Sequence, residues 1–358
     1  MLGPVLRVIL VFTALGIVSF IVLLGNPEPL VHTPKESTEA INVPLPQTTT
    51  STQKVTQTSP PPAPLPEPLE QESAKLSFNV IDLQTRGAVV SIICTHKSPG
   101  KLQVISGSGV IIDPRGVVLT NAHVAQFWLL PRKNPLGTTE CSMRTTTPSK
   151  HIYTAEPLFF PTSWIALHAE DIDNKNPRGT GEYDYALLRI TDTVDGEELP
   201  SVFPFVSFSI DESSIEEEDG VVIAGYPSSD ADADLEALSR TTVTSTLALI
   251  RKIYTFEGRT VDIISLGGTA LSYKGASGGA VVNNDNELIG IIVTSTEGGT
   301  AAERDLRALT LAHINRSLVR EIGEGFTSLL SGNIEAKAAL FNQMRAPQLT
   351  QLLLSELE

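Results

Sequence analysis

Between residues 88 and 312 the sequence is a chain of short apolar runs separated by Gly, Pro, Asn and Asp, and this spacing leaves few folds open. The runs predict strands at Ala88 to Cys94, Leu102 to Ser106, Gly109 to Ile112, Gly116 to Thr120, Ala186 to Ile190 and Gly220 to Gly225. They continue at Arg240 to Lys252, Thr260 to Ile264, Ala280 to Val282, Leu288 to Val293 and Ala308 to Ala312. Many short strands, frequent turn signals and few helix-period stretches indicate an all-β barrel or sandwich. No fixed-period repeat is present. After His313 the pattern becomes helical. Asn315 to Ile322, Glu335 to Arg345 and Gln348 to Leu357 carry helix spacing, interrupted by Gly323, Gly325 and Pro347. This tail reads as core packing, with a partner surface as the competing reading.

The N-terminal quarter differs in composition. Val8 to Gly25 is apolar and uncharged and follows Arg7. As a helix it would reach about 27 Å, the thickness of a bilayer core. No Ala-Xaa-Ala-like site closes the run, which ends Leu23-Leu24-Gly25-Asn26-Pro27. An uncleaved anchor is therefore favoured over a cleaved signal peptide. Arg7 before the run and Glu28 after it put the N-terminus inside and the rest of the chain outside. Residues 26–75 follow, with eleven prolines between Pro27 and Pro68, a Thr-rich run at Thr48 to Thr52, and no aromatic residue. Such a segment buries too little surface to offset its ordering entropy, so a disordered, partly polyproline-II spacer is expected.

The net charge of -15 argues against nucleic acid as a partner. Part of the excess lies in one run, Asp211-Glu212 to Glu216-Glu217-Glu218-Asp219, read as a solvated loop. Asp230-Ala231-Asp232-Ala233-Asp234 imitates a calcium loop, but Leu235 stands where Gly is required and Thr241 where Glu is required. A solvated acidic loop is the better reading, and no metal is expected. The two cysteines, Cys94 and Cys141, form no Cys-Xaa-Xaa-Cys motif. A single disulfide in an oxidising compartment and two separate buried thiols both remain open.

Three segments carry chemistry. Gly275-Ala276-Ser277-Gly278-Gly279 sets a serine between glycines, on a loop entering a strand, where the backbone can turn sharply and a ligand can approach. Taken alone, the same run also fits a plain β-turn. His123 follows the second of two strands joined by Asp113-Pro114-Arg115-Gly116. Of the six histidines, His32 lies in the spacer, and His96, His151, His168 and His313 have no comparable setting. Asp184 stands immediately before the apolar strand Ala186 to Ile190, although a strand-start aspartate is also an ordinary turn residue.

Together Thr120-Asn121-Ala122-His123, Asp184-Tyr185-Ala186-Leu187-Leu188 and Gly275-Ala276-Ser277-Gly278-Gly279 resemble the three motifs of the trypsin/chymotrypsin superfamily of serine peptidases, in its His–Asp–Ser order. Gly107-Ser108-Gly109-Val110-Ile111-Ile112, Leu288-Ile289-Gly290-Ile291 and Gly225-Tyr226-Pro227 look most like bacterial HtrA/Deg-type domains. The resemblance covers roughly residues 80 to 322. It implies two six-stranded antiparallel β-barrels with the site in the cleft between them, His123 and Asp184 coming from the first and Ser277 from the second. It implies Ser277 as nucleophile, His123 as general base, Asp184 as the acid that orients the imidazole, and the backbone N–H groups of Gly275 and Ser277 as the oxyanion hole. No cofactor is implied, and the expected partners are protein or peptide substrates. The predicted organisation is an anchor at 1–25, a linker at 26–75, a protease domain at 76–322 with barrels at about 76–195 and 196–314, and a helical tail at 323–358.

Three departures from the family pattern stand out. Ala276 occupies a position often filled by Asn or Asp, no zymogen cleavage site is evident, and the usual PDZ domain is missing. By analogy the primary pocket is walled by Leu271 to Lys274 and Val293 to Ser295. Neither stretch contains an acid, so small or apolar side chains are expected before the scissile bond rather than Lys or Arg. The expected function is a serine endopeptidase held by its N-terminal helix on the extracytoplasmic side of a cell membrane, or secreted if that segment is cleaved. The alternative is a catalytically inactive trypsin-like binding or scaffold domain. An esterase reading is disfavoured because no Gly-Xaa-Ser-Xaa-Gly elbow opens a helix.

Overall fold

A computed structural model describes residues 76–358 except 135–136, 146–150, 173, 175–179, 229–232, 257, 296–299 and 358. The expected anchor at 1–25 and the linker at 26–75 lie outside the described residues. Among the described residues no helix is long and apolar enough to cross a membrane.

Helix α1 (Phe78–Ala88) leads into a first sheet of strands β1 (Val89–Ser98), β2 (Lys101–Asp113), β3 (Val117–Thr120), β4 (Lys133–Asn134), β5 (Gly137–Arg144), β6 (Ile152–Phe159) and β7 (Ala186–Thr193). Helices α2 (Ala122–Ala125) and α3 (Thr162–His168) follow β3 and β6. The strand order is β1-β2-β3-β7-β6-β5-β4, and β1 also pairs with β5. Six strands thus close into a barrel, with the two-residue β4 appended to β5. The closing ladder sets Cys94 opposite Cys141, and the two form a disulfide. Of the two readings open for these cysteines, the bridge is the one observed. The core around it contains buried apolar side chains such as Val90, Ile92, Val110, Val118, Leu119, Leu187 and Leu188.

The second sheet contains β8 (Gly220–Gly225), β9 (Thr244–Leu249), β10 (Lys252–Tyr254), β11 (Ile263–Gly267), β12 (Ala280–Val282), β13 (Leu288–Ser295) and β14 (Leu306–Thr310), with the short helix α4 (Leu235–Ser239) between β8 and β9. Its order is β10-β11-β14-β13-β12-β8-β9. The expected second closed six-stranded barrel is corrected here to a half-barrel. Its edges, β9 and β10, are consecutive in the chain and are joined by a corner at Ile250-Arg251, without a ladder between them. At that corner Ile250 N–H still donates to Asp219 (2.9 Å) while Arg251 N–H donates to Ser265 (2.7 Å). The single strand expected over Arg240 to Lys252 breaks there, because the chain changes partners from β8 to β11. The half-barrel has its own core, which includes Val221, Ile223, Ile264, Leu271, Ala276 and Ile292.

The segment between the two sheets docks on both. Phe203 and Val206 donate to the carbonyls of Pro114 and Ile111, and Leu288 donates to that of Ser207. Beyond β14, α5 (Leu311–Ile322), α6 (Phe326–Leu329), α7 (Ile334–Met344) and α8 (Ala346–Leu357) complete the chain. Pro347 falls in the first turn of α8, where a missing N–H costs nothing. The tail packs on the first barrel. The Phe341 ring lies 6.2 Å from that of Phe159 and 6.3 Å from that of Phe160. Asn342 donates to the Pro157 carbonyl at 2.8 Å and Thr350 to that of Leu129 at 2.6 Å. Arg115, in the β2–β3 turn, donates to the carbonyls of Leu330 and Gly332. This is the packing role expected of the tail.

Candidate active site

Strand β3 ends at Thr120, and β7 begins beside it, with Thr120 opposite Ala186. That register brings the residues just after β3 against those just before β7. His123 lies in α2 and Asp184 in the turn before β7. The His123 Nδ1 is 2.6 Å from Asp184 Oδ2, and the His123 backbone N–H donates to Asp184 Oδ1 at 2.9 Å. The buried Asn121 amide donates to the Asp184 main-chain carbonyl at 2.7 Å. The carboxylate plane is therefore fixed at two oxygens by one residue, and its backbone is held by a second. An ionised carboxylate only accepts, so Nδ1 carries the proton and Nε2 is left as the basic nitrogen. The Asp184 side chain is 8 % exposed and that of His123 25 %. Burial disfavours the charged ring, but the charge of Asp184 and its hydrogen bond outweigh it and raise the His123 pKa above that of an ordinary histidine.

The Ser277 loop is fixed from the other side by β2. Ser108 N–H donates to the Ser277 carbonyl (2.7 Å), and the buried Ser108 hydroxyl donates to the Gly275 carbonyl (2.7 Å) while accepting from Tyr226 N–H (2.9 Å). Thr120 Oγ1 donates to the Ser108 carbonyl at 2.6 Å. The strand that precedes His123 therefore grips the strand that grips Ser277. Two glycines allow this approach. Gly275 (φ +90°) would carry a Cβ 2.5 Å from the Tyr226 carbonyl oxygen, and Gly278 (φ +83°) one 2.1 Å from that of Ser108. Any side chain would displace backbone at both, besides being strained in the left-handed region.

The peptide groups of this loop face consistent directions. The Lys274 carbonyl accepts from Ser228 N–H (2.7 Å) and the Ala276 carbonyl from Gly279 N–H (2.9 Å). In a trans peptide the N–H points opposite to the carbonyl, so the N–H groups of Gly275 and Ser277 are turned away from these anchors. Neither makes a hydrogen bond among the described residues, whereas those of Ala276, Gly278 and Gly279 all do. Two donors without partners among the described residues, in one loop and flanking one residue, form a ready pair for an anion. Ala276, where the family often has a polar residue, is buried in the half-barrel core, and a methyl suits that place.

Each sequence-predicted residue thus falls in this region. His123 and Asp184 are bonded directly. Ser277 is joined to them through Ser108 and Thr120, and its hydroxyl makes no hydrogen bond with His123 Nε2. Sequence reasoning left Ser108, Asn121 and Ser228 without roles. The first two stand inside the quoted motifs, next to residues that were assigned, but a strand serine and a loop asparagine carry no signature of what they will touch. Leu271, placed by analogy in the primary pocket, turns its side chain into the half-barrel core. The carbonyl of Ser272 accepts from Arg304 at 2.8 Å, and that guanidinium lies over the Tyr273 ring at 5.6 Å. Of the calcium-like run, Asp230 and Asp232 lie outside the described residues, and Asp234 caps α4 by accepting from Ala237 N–H.

A closed barrel and a half-barrel, with a His–Asp pair on one and a glycine-bound serine on the other, define the chymotrypsin-like class of serine peptidase. The trypsin-like peptidase domain family matches residues 107–291, a stretch that holds all three motifs and more than half of the chain, and the chain belongs to that family. No curated protein matches the sequence.

Proposed function

We propose that the chain is a serine endopeptidase that hydrolyses peptide bonds through Ser277, His123 and Asp184. The observation that carries this reading is the oriented His123–Asp184 pair, with the Ser277 loop locked to β2, the strand that pairs with the one preceding His123. His123 Nε2 takes the proton of the Ser277 hydroxyl as the oxygen attacks the scissile carbonyl carbon. The carbonyl oxygen becomes an anion and is received by the N–H groups of Gly275 and Ser277, each such donor lowering the barrier by on the order of 3 kcal/mol. The imidazolium, held by Asp184, then gives its proton to the departing amine as the C–N bond breaks, leaving an acyl group on Ser277. Water, deprotonated by the same nitrogen, attacks the ester, and the imidazolium returns the proton to the Ser277 oxygen as the carboxylic acid product leaves.

Two further parts of the proposal rest on the sequence and on nearby structure. The Cys94–Cys141 bridge favours an oxidising compartment. With the apolar Val8 to Gly25 run, it supports a single-pass anchor and an extracytoplasmic protease domain. The absence of any acid at 271–274, and the cation at Arg304 beside Ser272, support small or apolar residues before the scissile bond. The alternative, a catalytically silent trypsin-like binding domain, is favoured by one observation, the missing hydrogen bond between Ser277 and His123. Catalytic hydrogen bonds often tighten only once substrate is bound, which weakens that objection.

A fluorophosphonate probe tests the proposal. Labelling that disappears in Ser277→Ala and falls sharply in His123→Ala is expected. Folded wild-type protein that takes no label would overturn it in favour of the binding domain. In a peptide library, substrates with Val, Ala or Leu before the scissile bond are expected to outperform Arg, and equal cleavage of Arg would remove the specificity reading. Mass spectrometry of the N-terminus of membrane-extracted protein decides between anchor and signal peptide.

A further inference from the structure

Another His–Asp pair among the described residues, this one almost completely buried, lies outside the catalytic constellation, yet it reaches it. His313, in the first turn of α5, sets Nδ1 2.9 Å from Asp262 Oδ1, with both side chains almost completely buried. Asp262 is itself held by the N–H of Phe256 (2.7 Å), the hydroxyl of Thr260 (2.9 Å) and the guanidinium of Arg316 (2.6 Å). The Phe256 ring packs T-shaped against the imidazole, with centroids 5.0 Å apart. The other ring nitrogen, Nε2, lies 2.7 Å from the main-chain carbonyl oxygen of Glu182.

Glu182 is two residues before Asp184, in the turn that presents it. The carbonyls around this turn are spoken for in a definite way. That of Gly181 accepts from Asp184 N–H, that of Tyr183 from Tyr185 N–H, and that of Asp184 from Asn121. The Glu182 carbonyl is held by His313, from the half-barrel side. One turn further along α5, Ser317 receives a hydrogen bond from the buried Tyr185 hydroxyl at 2.9 Å. A single helix therefore grips the chain on both sides of Asp184, at the residue two before it and at the residue after it.

We propose that His313 is a positioning residue for the acid of the triad: through the Glu182 carbonyl it fixes the turn that aims the Asp184 carboxylate at His123. This rests on the catalytic reading given above. The competing account is that Asp262, His313 and Arg316 only fasten α5 to the half-barrel. The two accounts assign the function to different ring nitrogens. Burying a polar pair carries a desolvation cost, and the geometry this pair fixes is that of the Asp184 turn.

The test compares full-length wild type with His313→Asn and His313→Gln. The amide nitrogen of Asn stands near Nδ1 and can keep the bond to Asp262. That of Gln stands near Nε2 and can keep the bond to Glu182. Misplacing a reacting group by a fraction of an ångström to an ångström costs up to about a hundredfold in rate. His313→Asn is therefore expected to lower kcat about tenfold or more with KM little changed. It should also lower the His123 titration midpoint, read by nitrogen-15 NMR of histidine-labelled protein. His313→Gln should keep most of the wild-type kcat and titration midpoint, even where its melting temperature falls further than that of the Asn variant. Equal kcat and an unmoved His123 titration in both variants would overturn the proposal, as would losses that follow melting temperature alone. If neither variant folds, wild-type NMR still decides, because the contact to the Glu182 carbonyl requires a proton on Nε2 of His313, and a bare Nε2 refutes it. The titration needs no turnover, so a wild type that fails to label or cleave would count against the catalytic reading while leaving the clasp testable.

Discussion

Removing the Ser108 hydroxyl should damage turnover more than its small size suggests. The hydroxyl is buried, accepts from Tyr226 N–H at 2.9 Å and donates to the Gly275 carbonyl at 2.7 Å. In Ser108→Ala both backbone groups lose this partner, while the backbone bond from Ser108 N–H to Ser277 and the one from Thr120 to Ser108 are kept. Leaving a buried polar group unsatisfied costs about 1–3 kcal/mol, so a loss of about 2–6 kcal/mol in stability is expected for the two. The catalytic effect acts through Gly275, whose N–H is an expected oxyanion donor. A donor of that kind is worth about 3 kcal/mol, and a loosened one should lose about half of it, or roughly tenfold in kcat. Urea unfolding gives the first quantity. Steady-state kinetics on a cleavable peptide and the rate of fluorophosphonate labelling give the second. A Ser108→Ala protein within about 0.5 kcal/mol of wild type, the range of an ordinary surface substitution, with unchanged kcat, would refute the view that this hydroxyl ties the oxyanion loop to the barrel.

Two more outcomes follow from the geometry. Because Asp184 raises the His123 pKa, and the base must be neutral to accept the serine proton, the acid limb of the kcat/KM profile should lie above the ordinary histidine value near 6.5. In Asp184→Asn that limb should move down while kcat falls by on the order of a thousandfold or more; the same raised pKa adds stability that is full below the unfolded value and is lost as pH rises through the folded one. A limb that stays put in Asp184→Asn would contradict the assignment. Cutting the bridge with Cys94→Ser and Cys141→Ser should cost up to about 4 kcal/mol in urea unfolding, the loop-closure value for cysteines 47 residues apart; no change on reduction would show that the β1–β5 ladder alone fixes that closure.

What could be read from the sequence was whatever had a local physical signature. Strands such as β3, β8 and β12 were legible because apolar runs fill both of their faces and turn residues end them. Strands β5 and β6 were missed. Gly137-Thr138-Thr139-Glu140-Cys141-Ser142-Met143-Arg144 is mostly polar, and Ile152 to Phe159 contains Pro157, which normally demotes a strand. Pro157 is tolerated because the register shifts between it and Phe159, and its carbonyl is taken by Asn342 from the tail. Helices α1 and α3 were missed as well, for they are short and owe their place to packing against the sheets.

The same division explains the site. Gly275 to Gly279 and His123 are legible because sharp turns need glycine and the proposed acyl transfer would need a base, so chemistry restricts the residue types at those positions. Ser108, Ser228 and His313 work through contacts with residues 46 to 169 positions away, and nothing local restricts them. His313 is the sharpest case. As one of six histidines it had no context, because Asp262 lies 51 residues before it and Glu182 lies 131 residues before it. Only the closing of β14 against β11 and β13 brings α5 to the turn that carries Asp184. The proposed catalytic acid on the first barrel is thus braced by a helix that can form its contacts only after the half-barrel is complete. The orientation of His123 should therefore depend on a folded second half even though neither it nor Asp184 belongs to it.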